Sequence, residues 1–332
     1  MKKVILMLIG LLFLIKNATL SAQSVAALTQ QITEGKATDS TKIEAIYEWL
    51  TRNVNYDNTR KRQPEGDTVL RQEPYNVVVF KKAVCMGYAK TFREMCRLSG
   101  IEAYVVEGWG KSSSAALERE GHAWNVVKIN NNWHLLDATW DAGNTINSKK
   151  YFLMDPSVFC QNHLPRDPMW QLLNAPISIN CFTNNRNCND DASPISAFNY
   201  ADSIRLWQSL DTLQQLYNQS IRTLNFNPND LMALRELADY YTQKATLLIE
   251  EYKEIRTAIT NKKRAANGKE TVLELLETTT NYLKWAQINY DTLANKNKKG
   301  IYTDAHWNNE SIKELLHNLA TEKVFVERYF KD

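Results

Sequence analysis

Long hydrophobic runs are nearly absent from this 332-residue chain. The one sustained run, over residues 4–15, is twelve residues long, and a membrane-spanning helix needs about 20. Glycine and proline are scarce, at 11 and 8 residues, which excludes collagen-like and low-complexity chains. Net charge is scarce too: 40 basic residues stand against 37 acidic ones, a formal +3. Lys2, Lys3 and Lys16 lie in the first 22 residues with no acid, so the rest of the chain carries 37 of each sign. A nucleic-acid binder normally keeps a basic surplus, so no nucleic-acid partner is expected. There are five cysteines, Cys85, Cys96, Cys160, Cys181 and Cys188, and no two form a CxxC pair. The histidines are not at zinc-ligand spacing either, so no structural zinc is expected.

What is present is ordinary globular material. Hydrophobic residues make up 44% and charged residues 23%, enough for two domains with cores of their own. Residues 1–22 have the pattern of a secretory signal: Lys2 and Lys3, the short apolar run, then small and polar residues up to Ala22. The mature chain is therefore expected to be exported, periplasmic or extracellular, without stable membrane insertion. An odd cysteine count in an exported protein leaves a thiol unpaired within the chain. Cys181 and Cys188 are close enough in sequence to pair.

Hydrophobic periodicity sets out the elements. Residues 23–36 read as a short leader. Thr41 with Glu44 has a capping-box pattern, and Ile43, Ile46, Trp49, Leu50 and Val54 follow at helical spacing, predicting a helix over 41–54. Residues 60–73, with Pro64 and Gly66, read as an exposed loop. A second helix is predicted over 85–98, with Ala89, Phe92, Met95 and Cys96 on its apolar side and Gly100 placed to end it. Strands are predicted over 101–108, 122–129 and 133–139, with a charged, Ser-rich loop over 111–121. Asn130 and Asn131 tolerate the left-handed backbone of a tight hairpin between the last two strands. The chain turns polar and irregular over 174–199. Four helical stretches follow, over 201–225, 230–260, 270–294 and 311–329. Tyr240 and Tyr282 sit in comparable surroundings, but the similarity is too loose for a repeat array, and an antiparallel helical bundle is the simpler expectation. The expected domains are 1–22 (signal), 23–194 (with the cysteine-bearing helix) and 195–332 (helical).

Cys85 stands at the predicted start of a helix, where unpaired backbone N–H groups and the helix dipole favour a thiolate. The same N–H groups suit an oxyanion. Most free cysteines are merely buried and inert, so the position needs a base and an orienting partner to mean more. His122 opens one strand of the hairpin and Asp137 lies near the end of the other. A two-residue turn at Asn130-Asn131 sets Ile129 opposite Asn132 and puts His122 and Asp137 on one face, as diagonal neighbours within side-chain reach. A plain three-residue turn would put them on opposite faces, and a bulge would restore the match. Asp141, one helical turn further on, is an alternative to Asp137. His134 alternates away from Asp137, His163 falls in an expected loop, and His306 and His317 belong to the helical tail.

Three blocks in order carry a resemblance: Ala83-Val84-Cys85-Met86-Gly87-Tyr88-Ala89-Lys90, Gly121-His122-Ala123-Trp124-Asn125-Val126-Val127, and Trp133-His134-Leu135-Leu136-Asp137-Ala138-Thr139-Trp140-Asp141. They resemble the transglutaminase-like superfamily over roughly residues 40–180. Ile46-Tyr47-Glu48-Trp49-Leu50 upstream fits as well. Tyr151-Phe152-Leu153-Met154-Asp155-Pro156, His163-Leu164-Pro165 and Trp170-Gln171-Leu172-Leu173 look most like the kyphoscoliosis-peptidase-like branch of bacterial secreted proteins. The resemblance implies an α+β fold with a papain/transglutaminase-like core, a cysteine-bearing helix packed on an antiparallel sheet, followed here by an all-α C-terminal domain. It implies Cys85 as nucleophile, His122 as general base and then acid, and Asp137 rather than Asp141 as the orienting carboxylate. Trp124 and Asn125 would support the site.

The implied activity is that of a secreted cysteine protease or amidase, cleaving peptide or protein amides through a catalytic triad and a thioester. It needs no cofactor and no metal. A protein-crosslinking transamidase and a non-catalytic binding scaffold are the alternatives. The expected partners are a peptide or protein substrate and, on the helical tail, a protein. The zinc-binding CxxC pairs of peptide-N-glycanases and the extra β domains of calcium-dependent transglutaminases have no counterpart. The acidic stretch 187–191 reads as a solvated loop.

Overall fold

A computed structural model describes residues 25–59, 72–111, 121–143, 149–184, 198–261, 268–297 and 305–330. The expected signal, nearly all of the 60–73 loop, the centre of the 111–121 loop, the 187–191 stretch and Cys188 lie outside them. The chain divides into two compact units between Tyr200 and Ala201.

The first unit opens with helix α1 over 25–33 and α2, Asp39–Asn53. The capping box closes one turn earlier than the sequence pattern predicted. Thr38 is the N-cap, and it exchanges backbone-to-side-chain hydrogen bonds with Thr41 at 3.2 and 3.3 Å. Thr41 is thus the third helical residue, where a hydroxyl replaces the usual carboxylate of the motif. Ile43, Ile46, Tyr47 and Leu50 are fully buried. A two-residue strand β1, Asn55–Tyr56, runs parallel to β2, Lys82–Ala83, on either side of helix α3, Pro74–Phe80. Helix α4, Cys85–Leu98, has the predicted bounds. It ends at Gly100, whose φ of 75° lies in the left-handed region that glycine enters without steric cost.

Strands β3 (Ala103–Gly110), β4 (His122–Ile129), β5 (Asn132–Leu136) and β6 (His163–Pro165) form one antiparallel sheet in the order β5-β4-β3-β6. The hairpin turns on Asn130 and Asn131, both at positive φ, and Ile129 pairs with Asn132. This is the two-residue register, the one that sets His122 and Asp137 on the same face. Both faces of the sheet are covered. Val127 and Leu136 join Phe92, Met95 and the α2 residues in one core. On the other face Trp124 packs on Phe159, and Tyr104 and Trp133 pack on Trp170.

Strand β5 stops three residues short of its predicted end. Asp137 leaves the ladder to cap a one-turn helix, α5, Ala138–Asp141. The short helices α6, Pro156–Phe159, and α7, Ile179–Asn184, follow; the second falls where the polar sequence had predicted no regular structure. Cys181 within α7 is disulfide-bonded, and Cys85, Cys96 and Cys160 are free thiols.

The second unit is helical: α8 (Tyr200–Gln208), α9 (Thr212–Phe226), α10 (Leu231–Thr260), α11 (Lys269–Lys296) and α12 (Ala305–Tyr329). The single helix predicted over 201–225 is two, because Asp211 caps a fresh start through the Gln214 N–H at 2.8 Å. Leu234, Ala245, Leu276, Leu283, Ile312 and Val326 are among the residues of its own core. Among the described residues no helix is long and apolar enough to cross a membrane.

Candidate active site

Cys85 is the first residue of α4 and is half-buried. Cys96 and Cys160 are buried, and burial pushes both of those thiols above their ordinary range. No side chain of Val84 caps this helix. Instead the Val84 N–H donates to Gln72 Oε1 at 3.0 Å, which fixes the backbone just before the cysteine. Gln72 was predicted to lie in an exposed loop, yet it is buried. Gly87 makes room for it: a Cβ there would collide with Gln72 Oε1 and come within 2.8 Å of the Ala83 Cβ.

The sheet is tied to this helix by a buried amide. Asn125 donates through Nδ2 to the Ala89 carbonyl of α4 at 2.9 Å and to the Tyr104 carbonyl of β3 at 3.1 Å. Three residues earlier on the same strand, His122 sits opposite Gly108, with its ring stacked on Trp140 at 5.2 Å between centroids.

Asp137 meets this ring and is wholly buried. Its Oδ1 accepts the Thr139 N–H at 2.7 Å and the Trp140 N–H at 3.4 Å, capping α5. Its Oδ2 lies 2.7 Å from His122 Nε2 and 3.0 Å from Nε2 of a second histidine, His163. Burial alone would raise the carboxyl pKa, but the charge and hydrogen bond of His122, joined by His163, hold it well below the usual carboxylate range. For His122 burial works against the charged ring. The attraction and hydrogen bond of Asp137 outweigh it, with a hydrogen bond to Cys85 adding, so the ring is held well above an ordinary histidine. An ionised carboxylate only accepts, so His122 gives Asp137 its Nε2 proton, and Nδ1 is the atom left for Cys85.

Asp141 is set apart from this histidine. Its Oδ2 lies 2.6 Å from the Tyr47 hydroxyl and accepts the Tyr151 N–H at 2.9 Å. The Tyr47 hydroxyl also lies 2.8 Å from the Asp137 carbonyl. Burial pushes the Asp141 carboxyl up, against the hydrogen bonds it accepts from Tyr47 and Tyr151, with the Asp137 charge adding to the rise. The Tyr47–Asp141 pair thus holds the Asp137 backbone.

The residues expected to meet do so: Cys85 reaches His122, and His122 reaches Asp137. Sequence reading missed His163, placed in a loop but found on edge strand β6 and fully buried. A three-residue strand followed at once by proline country carries no readable periodicity. The signal that existed was the ring of aromatics nearby in sequence, Tyr151, Phe159 and Trp170. His134 pairs with Val127 on the face away from His122, and His317 lies in the second unit. Among the described residues, His122, Asp137 and His163 bring three ligand-type atoms within 4.8 Å of one another. The N–H···O bonds between them account for that closeness, and an ion would have to displace both protons.

The fold thus defines a class: an α+β unit in which a helix beginning at a free cysteine packs on an antiparallel sheet carrying a histidine–aspartate pair. Residues 26–138 match the family model of the transglutaminase-like superfamily. Kyphoscoliosis peptidase of Homo sapiens is 33% identical over 175 residues, 48% of this chain and 26% of that protein. The Mus musculus protein is 30% identical over 174 residues, 47% and 25% of the two chains. The chain therefore spans about a quarter of the length of these curated relatives. A solved TGase structure shares 21% identity over 40% of this chain and 35% of that one, with a TM-score of 0.30.

Two measurements probe the geometry. Gly87→Ala should push Gln72 off the Val84 N–H, lower the thermal midpoint and slow alkylation of Cys85; an unchanged midpoint and rate would dismiss the Gln72 contact. The depressed Asp137 carboxyl contributes stability that is present above its unfolded value of about 3.9 and lost as pH falls below it. Asp137→Asn should cost about 3 kcal/mol at pH 7 and flatten the acid fall of stability in urea titrations between pH 2 and 5.

Proposed function

We propose that this protein is a cysteine acyl-transfer enzyme that opens peptide or protein amide bonds through Cys85, His122 and Asp137. One observation carries the reading: the buried His122 ring is held by Asp137 at 2.7 Å through Nε2 while it hydrogen-bonds Cys85 at the start of α4. This is the nucleophile, base and orienting group of covalent catalysis in order. His122 Nδ1 takes the Cys85 proton. The thiolate attacks the amide carbonyl, and first-turn N–H groups of α4 serve the oxyanion. The C–N bond breaks as a C–S thioester forms, and the His122 proton leaves on the departing amine or ammonia. Water, deprotonated by His122, then attacks the thioester, releasing a carboxylic acid and restoring the thiol.

An amine in place of water gives transamidation, the second enzymatic reading. The names of the curated relatives, kyphoscoliosis peptidases, favour hydrolysis. The N-terminal pattern of residues 1–22 supports an exported enzyme, and the second unit is proposed as a surface for a protein partner. A non-catalytic scaffold would have no use for a buried charge pair aimed at a free thiol.

The test is the alkylation rate of Cys85 against pH, mapped by peptide to separate it from Cys96 and Cys160. Fast labelling below pH 7, lost in His122→Ala, is expected of an activated pair. A rate that rises only near pH 8.5, the ordinary thiol value, in both proteins would leave a binding scaffold. Ammonia release against incorporation of a labelled amine then separates hydrolysis from crosslinking.

A further inference from the structure

The active-site reading uses one histidine, yet Asp137 Oδ2 is shared between two. His163 comes to it from β6, at the far side of the sheet from β5. The ring is enclosed: it stacks on Phe159 at 4.2 Å and lies 4.2 Å from Trp140, with Trp124 edge-on at 5.1 Å. The titratable groups facing it are Asp137, His122, Tyr151 and Lys150.

Counting protons settles its state. Nε2 faces Asp137 Oδ2 at 3.0 Å, and an ionised carboxylate needs a donor there. Nδ1 faces Asn162 Oδ1 at 2.7 Å, and Asn162 Nδ2 in turn donates to the Tyr151 hydroxyl at 3.1 Å. A doubly protonated His163 would set a second cation against His122, with ring centroids 5.5 Å apart and one carboxylate between them, wholly out of water. A neutral ring avoids this. It carries its proton on Nε2 and accepts at Nδ1 from the Asn162 NH₂, while the Asn162 oxygen accepts from Tyr151. This turns the Asn162 amide end for end from its placement above, and the two ends of an amide have nearly the same shape, so the site accommodates the turned orientation. Burial also favours the neutral form of His163.

We propose that His163 is a positioning residue for His122: its Nε2–H holds Asp137 as an anion, which keeps one His122 proton on Nε2 and leaves Nδ1 to take up the Cys85 proton. The proposal rests on the activated Cys85–His122 pair described above. If Asp137 took up a proton it would donate to His122 Nε2 instead. The His122 proton would then sit on Nδ1, facing Cys85, where it cannot receive another.

The test is the pH profile of Cys85 alkylation in the full chain, for wild type, His163→Phe and His163→Gln. Phenylalanine keeps the stacking and removes the donor; glutamine keeps an N–H at similar reach. His163→Phe should move the acid limb towards neutral pH by about one unit, the worth of one hydrogen bond to a charged group. His163→Gln should restore the wild-type limb. A role in packing alone would lower the thermal midpoint of both variants and leave the acid limb in place, which overturns the proposal. A limb displaced equally in both variants overturns it too. Should His163→Phe fail to fold, ring ¹⁵N shifts of His163 in the wild type decide the matter: a neutral ring protonated on Nε2 between pH 5.5 and 8 is expected, and a charged or Nδ1-protonated ring refutes it. Slow alkylation already in the wild type overturns the acyl-transfer reading and this proposal together, a pattern distinct from a fast wild type with an unshifted His163→Phe.

Discussion

The Asp137 carboxylate accepts four N–H groups, two on each oxygen, with no water in reach. A buried anion is tolerable only when it is so surrounded, and here each donor fixes a different part of the molecule. The Thr139 and Trp140 N–H groups start α5. His122 brings β4, and His163 brings the edge strand β6. One ionised side chain therefore sets where strand β5 ends, how the His122 ring lies and which of its nitrogens is left for the cysteine. The Tyr47–Asp141 pair then secures the Asp137 main chain from α2. If Oδ2 took up a proton, its pairing with the two histidines would have to rearrange.

The cysteine side is secured independently. Gln72 caps the peptide before Cys85, Gly87 leaves space for Gln72, and Asn125 ties α4 to the two central strands. These are polar contacts inside an apolar core of Ile46, Leu50, Phe92 and Met95. Burial supplies the stability; the few buried amides supply the register that apolar contacts alone would leave free to slide. The second unit has a core of its own and an aromatic group of Tyr217, Tyr240, Tyr241, Tyr282 and Trp285. The spaced tyrosines that resembled a repeat in the sequence are thus members of one side-chain cluster on successive helices.

Much of the first unit was legible. The bounds of α4 and β4 and the hairpin register followed from apolar spacing and from two asparagines at positions that need positive φ. The misreadings share a cause. The α2 cap was placed at Thr41 because the familiar pattern ends in a carboxylate, whereas Thr38 and Thr41 close the box with two hydroxyls. Strand β5 was run on to residue 139 because propensity cannot show that a side chain will leave the ladder to cap a helix. Gln72 and His163 both read as loop in the sequence because each is a polar residue whose buried partners are distant along the chain.

The sequence by itself determined the local conformations, the α+β class and the three residues that meet around His122, since spacing and turn chemistry act over a few residues and leave a pattern. Only the tertiary structure decided that a second histidine shares the carboxylate, which nitrogen of His122 that carboxylate holds, and that Asp141 serves Tyr47 instead. These are matters of lone pairs and protons between groups 15 to 94 residues apart. Hydrogen bonds are directional and short, and no one-dimensional periodicity records which donor reaches which acceptor once the chain has closed around them.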